Sequence, residues 1–221
     1  MIGRQASASL DRKKSHGEAG TLPSDRILFL ATGNLHKVKE AAAILAEFRV
    51  RVRRVESPKV EIQSDDIVEI ASFASDELSR RHSGVVAVED SGLFVDSLKG
   101  FPGPFSSYAY RAIGPNGILR LLGASSRRRA RFRAAVAVSR SGHTVKIFTG
   151  EIRGRIAHSK RGDNGFGFDP IFIPTGEVRT FGELSEAEKN RRSHRQKAFR
   201  QLGMWLTPPT KRGRLSETAE S

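Results

Sequence analysis

Between Ile27 and Phe48 the chain changes its hydrophobic period. Ile27 to Ala31 is an unbroken apolar run, a polar loop follows, and then Val38, Ala41, Leu45 and Phe48 recur at helical spacing. A short continuous apolar run reads as a strand buried on both faces, and a 3.6-residue repeat as a helix packed along one side. Strand, loop and helix in that order commit the start of the folded body to α/β architecture.

The same reading extends along the chain. Val50 to Val55 alternates apolar and basic residues, as a strand near a sheet edge does. Asp66 to Arg81 places Ile67, Ile70, Ala74 and Leu78 on one helical face. Val85 to Val88 reads as a short buried strand ending at Glu89-Asp90-Ser91-Gly92. Ile118 to Leu122 belongs to a short helix, and Phe132–Val138 and Val145–Ile152 form a strand pair about Ser141-Gly142. Ser185 with Glu188, and Ser193 with Gln196, are two successive helix-start signatures. Helices and strands mix without strict alternation, so the expected sheet is mixed.

The polar segment before residue 26 has no period and reads as a disordered extension or an upstream start. The residues from 207 to 221 read as a flexible tail. The folded body is expected over residues 26–206. With 221 residues and no cysteine, the chain needs no disulfides and has no thiolate metal site, which suits a reducing cytoplasm. No apolar run approaches the roughly 20 residues that span a bilayer. The net charge of +14 is carried largely by arginine, with a cluster over residues 127–133. It fits attraction of a nucleotide, contact with nucleic acid or a solvated surface alike. The arginines are not interleaved with aromatics as a stacking platform requires.

Four stretches can carry chemistry. Thr32-Gly33-Asn34-Leu35-His36-Lys37 joins a strand end to a helix start, where backbone N–H groups favour anions and Lys37 adds charge. Taken alone, Asn34 as a helix cap and Lys37 as a solvated residue read equally well. Glu89-Asp90-Ser91-Gly92 places two acids where α/β sheets hold ligands, with Asp96 close by and Glu61 upstream. Carboxylates suit magnesium, although a capped turn is the plainer alternative. Gly165-Phe166-Gly167-Phe168-Asp169-Pro170 reads as an exposed, restricted aromatic loop that offers a face to a base, or as a packed loop. Lys189 and Ser193-His194-Arg195 put cations at a helix start, an unfavourable placement that an anionic ligand would relieve.

Taken in order, Thr32-Gly33-Asn34-x-x-Lys37, Glu89-Asp90-Ser91-Gly92-Leu93, Gly165 to Pro170 and Glu188-Lys189-Asn190-x-x-Ser193-His194-Arg195 resemble the inosine triphosphate pyrophosphatase family. Phe101-Pro102-Gly103-Pro104 and Thr180 to Leu184 fit as well, and the resemblance covers Arg26 to Leu206. It implies an elongated mixed sheet flanked by helices, with two lobes, a nucleotide cleft between them, and a homodimer. The implied reaction cleaves ITP, dITP or XTP to the monophosphate and pyrophosphate with Mg2+. A related enzyme acting on pyrimidine or modified nucleotides is the alternative. Carried over by position, Thr32 to Lys37 hold the triphosphate, Asp90 is proton acceptor and metal ligand, and Glu61 is the second metal ligand. Ser91 touches substrate, and Phe166, Gly167, Phe168, Asp169, Lys189, His194 and Arg195 bind the nucleotide and its base. Neither nucleic acid nor membrane is required.

Overall fold

The computed structural model describes residues 27–56, 60 and 62–207. The expected extension before residue 26, most of the expected tail, and Glu61 lie outside the described residues. The chain runs β1 (Ile27–Ala31), α1 (Leu35–Ala46), β2 (Arg51–Val55), α2 (Ile67–Ser79), β3 (Val86–Val95), β4 (Pro102–Gly103) and α3 (Ser106–Ala112). It continues through α4 (Gly114–Leu122), β5 (Arg129–Arg140), β6 (His143–Ile156), β7 (Phe172–Pro174), α5 (Glu186–Asn190) and α6 (His194–Leu206).

One mixed seven-stranded sheet takes the order β2-β1-β3-β5-β6-β7, with β4 on β3. The first three strands pair in parallel and the rest antiparallel. The expected edge position of β2 holds. Helix α2 is the expected one, capped by Asp66 accepting the Val68 N–H.

The main departure is β3. The expected strand stopped at Val88, but β3 continues through the acids to Val95 because β5 ladders it over its whole length. The pair β5–β6 is longer than expected for the same reason: each strand satisfies the other's backbone groups. Its turn does fall at Ser141-Gly142, whose φ values of 53° and 81° suit a tight two-residue hairpin.

Two hydrophobic clusters share one face of the sheet. Leu28, Leu30, Val136 and Val138 pack with α1 and α6 at one end. Leu93, Phe132, Ile118, Phe172 and Phe181 pack with α3, α4 and the loops about β7 at the other. Helix α2 covers part of the opposite face through Ile67 and Ala71 against Ala135 and Ala137. The space between the first two clusters is the cleft, which gives the expected two lobes their physical basis.

The arginine cluster divides. Arg128 is buried, and its guanidinium donates to the carbonyls of Ile156, Ala157 and Gly123 at 2.9, 2.8 and 3.0 Å, tying the end of α4 to β6. Arg129, Arg131 and Arg133 stand opposite Arg155, Arg153 and Glu151 in the β5–β6 register, away from the cleft. Asp96 also leaves the cleft, pairing with Arg131 at 3.2 Å.

Candidate active site

The cleft opens at a gap in the sheet. Strand β1 pairs with β3 only as far as Val88, and β4 resumes at Leu93. Among the described residues, Glu89 to Gly92 are laddered on one side only, by β5. The missing neighbour leaves an edge in mid-sheet onto which the β1–α1 loop falls.

That loop is held by its own polar groups. Thr32 Oγ1 accepts the Asn34 N–H at 3.1 Å, and Asn34 Oδ1 caps α1 by accepting the His36 N–H at 2.9 Å. Gly33 is not in the left-handed region, and among the described residues a Cβ built there meets no atom within 4 Å. Neither backbone conformation nor packing requires glycine here. A backbone kept bare toward an open cleft is what close approach of a ligand requires.

Side-chain alternation separates the two adjacent acids. Glu89 and Ser91 lie in register with Val136 and Ala134, on the face of α1 and α6. Asp90 lies in register with Ala135, on the face that α2 covers. All three line the cleft because it wraps the open edge of β3.

Glu89 joins a chain of alternating charges. Lys37 Nζ stands 2.7 Å from Glu89 Oε2, and Arg195 Nε donates to Glu89 Oε1 at 3.0 Å. Arg195 Nη1 donates to Glu40 at 3.2 Å and Nη2 to Ser91 Oγ at 2.7 Å. Lys189 Nζ then bonds Glu40 at 2.7 Å and Asp169 at 2.6 Å, and Asp169 also accepts the Phe166 N–H at 2.8 Å. Three cations and three carboxylates thus link α1, β3, the aromatic loop, α5 and α6. Buried charges are tolerated only when paired in this way. The cations expected at the start of α6 are relieved by protein carboxylates rather than by a ligand.

The environment sets the proton affinities. Burial opposes ionisation of Glu89, but Arg195 and Lys37 outweigh it and hold the carboxyl at about 2. Burial likewise opposes ionisation of Glu40, and Arg195 and Lys189 bring it below its ordinary value. Burial raises Asp169 despite Lys189 beside it. Burial, reinforced by Arg195, Lys189 and Lys37, drives His194 well below 6.5, so its imidazole is neutral.

The aromatic loop is only partly what the sequence suggests. Phe168 is a buried core residue, set edge-on to Tyr110 at 5.8 Å, not an exposed ring. Phe166 is half-buried; His36 stacks on it at 5.1 Å, with Lys189 Nζ 4.7 Å and the Arg195 guanidinium carbon 5.0 Å from its centroid. The His194 ring stacks on Phe132 at 4.9 Å, and among the described residues neither ring nitrogen has a hydrogen-bond partner.

Together these residues line a cleft of about 940 Å³. Thr32 to Lys37, Asp90, Ser91, Phe166 to Asp169, His194 and Arg195 all reach it, and Lys189 stands directly behind through Asp169. Sequence reasoning missed Glu40, the role of Glu89 as the hub of the charge chain, and the far wall built by α3. That wall contributes Ser107, Tyr108, Tyr110 and Arg111. Glu40 lies one helical turn beyond Lys37, the only signal that the two share a face.

The sequence matches the model of the Ham1 family over residues 28–205. It is 51% identical over 178 residues to a dITP/XTP pyrophosphatase of Pyrobaculum aerophilum, covering 80% of this chain and 95% of the relative. It is 46% identical over 185 residues to a dITP/XTP pyrophosphatase of Ignicoccus hospitalis, covering 83% of this chain and 98% of the relative. Among solved structures, a HAM1 protein from Coxiella burnetii superposes with a TM-score of 0.72 at 30% identity, over 82% of this chain and 98% of that one. With the match spanning nearly the whole described body, the chain belongs to the Ham1 family.

Proposed function

We propose that the protein hydrolyses aberrant purine nucleoside triphosphates, ITP, dITP and XTP, to the monophosphate and pyrophosphate, and so cleanses the nucleotide pool. The observation that carries this reading is the convergence of four separated sequence blocks on one cleft. The relatives named dITP/XTP pyrophosphatase support it.

The bare backbone at Gly33, the start of α1 and Lys37 hold the triphosphate. Asp90 takes the proton of a water whose oxygen attacks the α-phosphorus. The bond from that phosphorus to the bridging oxygen breaks, and pyrophosphate leaves. Ser91, oriented by Arg195, touches the substrate.

A divalent metal, Mg2+, belongs to this reading. Among the described residues no three candidate ligands gather into a cage. Asp90 and, by the family resemblance, Glu61 would hold it, a small carboxylate set of the kind magnesium takes alongside substrate phosphates and water. When bound, the metal offsets phosphate charge and makes a coordinated water more acidic.

Base selection falls to the region around Phe166. Lys189 and Arg195 carry only donors, which suit a 6-oxo group and leave a 6-amino group facing N–H against N–H. Neutral His194 adds one donor and one acceptor. Gly167, with φ of 64°, needs glycine to bring Phe166 and Phe168 to their places. The family resemblance further supports a cytoplasmic homodimer. No helix among the described residues is long and apolar enough to cross a membrane.

The test is product analysis by chromatography after incubation with dITP and Mg2+. Release of dIMP and pyrophosphate is expected; dIDP with orthophosphate would refute the assigned bond cleavage.

A further inference from the structure

The charges of the cleft do not distribute evenly between its walls. On the floor, Lys37, Arg195 and Lys189 are each already matched by Glu89, Glu40 and Asp169. Asp90 adds a further carboxylate to the lining. The floor therefore carries no surplus positive charge, and Lys37 reaches a triphosphate only by giving up part of its pairing with Glu89. Its cations are also held in fixed places by buried carboxylates, so turning toward a ligand means breaking those pairs.

Arg111 differs in both respects. It sits on α3 in the far wall and lines the same cleft. Its guanidinium donates from Nη1 to the neutral Ser107 Oγ at 2.8 Å, and no carboxylate among the described residues pairs with it. The helix that carries it is anchored beside the reacting strand. Ser106 Oγ accepts the Leu93 N–H at 2.8 Å and donates to the Gly103 carbonyl at 2.7 Å. Gly92 approaches Gly103 so closely that a Cβ would stand 2.0 Å from its carbonyl oxygen. The base of α3 is therefore fixed against β3 while Arg111, one turn along, remains exposed to solvent.

We infer that Arg111 is a phosphate-binding residue that grips the polyphosphate tail from the wall opposite the Thr32–Lys37 loop. This rests on the reading of the cleft as a triphosphate site. A guanidinium with unused donors is suited to two phosphate oxygens at once, and its charge is available without breaking a buried pair. The bond to Ser107 Oγ holds the Arg111 side chain on the wall where both residues line the cleft.

The test uses calorimetric binding of pyrophosphate and, separately, of dIMP, each with Mg2+, to the full-length protein and its Arg111→Gln and Arg111→Lys variants. Arg111→Gln is expected to weaken pyrophosphate binding by roughly tenfold or more, the usual scale for losing a charge-assisted hydrogen bond. Binding of dIMP and the melting temperature should stay as in the wild type, and Arg111→Lys should recover part of the loss. Unchanged pyrophosphate binding, or equal weakening of both ligands, would overturn the assignment. If the wild-type protein binds both products but releases no pyrophosphate from dITP, the proposed reaction fails while the binding comparison still decides Arg111.

Discussion

Arg195 donates to Glu89 at 3.0 Å and to Glu40 at 3.2 Å, so a single guanidinium from α6 fastens the middle of β3 to α1. The same arginine orients Ser91, and Glu89 in turn holds Lys37. The two halves of the cleft floor are set by one shared network rather than by separate contacts. Removing Glu89 leaves Lys37 and Arg195 facing each other across an uncompensated buried position. Glu89→Ala should therefore cost about 3–5 kcal/mol of folding stability, measured by urea unfolding. A cost below about 1 kcal/mol would show that the network is not needed to hold the floor together.

Gly33 separates ligand approach from protein folding. An added methyl meets no atom of the described residues within 4 Å and needs no unusual backbone. Gly33→Ala should melt at the wild-type temperature while kcat/KM for dITP falls about ten- to a hundredfold, if a phosphate occupies the space. Full activity in this variant would place the triphosphate elsewhere.

Asp90→Asn keeps the shape of the side chain and removes its basicity. Turnover of dITP should drop by about 10²–10⁴, with the fold intact by circular dichroism. An active variant would remove Asp90 as proton acceptor.

Stability should respond to acid in two steps. His194 is held below its ordinary value, so the unfolded chain takes up a proton as pH falls through 6.5 and the folded chain does not. Stability is lost from there downward. Glu89 is lowered from 4.5 to about 2, so its contribution is present above 4.5 and is lost as pH falls through that window. Asp169, raised by burial, works in the opposite sense, favouring the fold below its ordinary 3.8. Thermal melts from pH 8 to pH 3 should show both losses, and His194→Gln should abolish the first alone.

Much of this site was legible because its parts are local. The change of period at Ala31 marks the Thr32–Lys37 loop, and serines mark the starts of α5 and α6. What was not legible depends on distant partners. Glu89 to Gly92 read as a turn, yet form a strand because β5 ladders them. Glu40 looks like any glutamate on an amphipathic helix until Lys189 and Arg195, some 150 residues away, arrive beside it. The Gly165–Pro170 loop reads as exposed or as packed because nothing local shows Tyr110 and the core cluster that bury Phe168. The seven residues of α3 are too few for a period to reveal a cleft wall.

The most direct test is a panel of nucleoside triphosphates assayed for pyrophosphate release with Mg2+, on the wild type and Lys37→Met. The wild type should prefer dITP and XTP over dTTP, UTP and ATP, and Lys37→Met should slow every substrate by a similar factor. Turnover of dTTP or UTP equal to that of dITP would contradict the purine assignment.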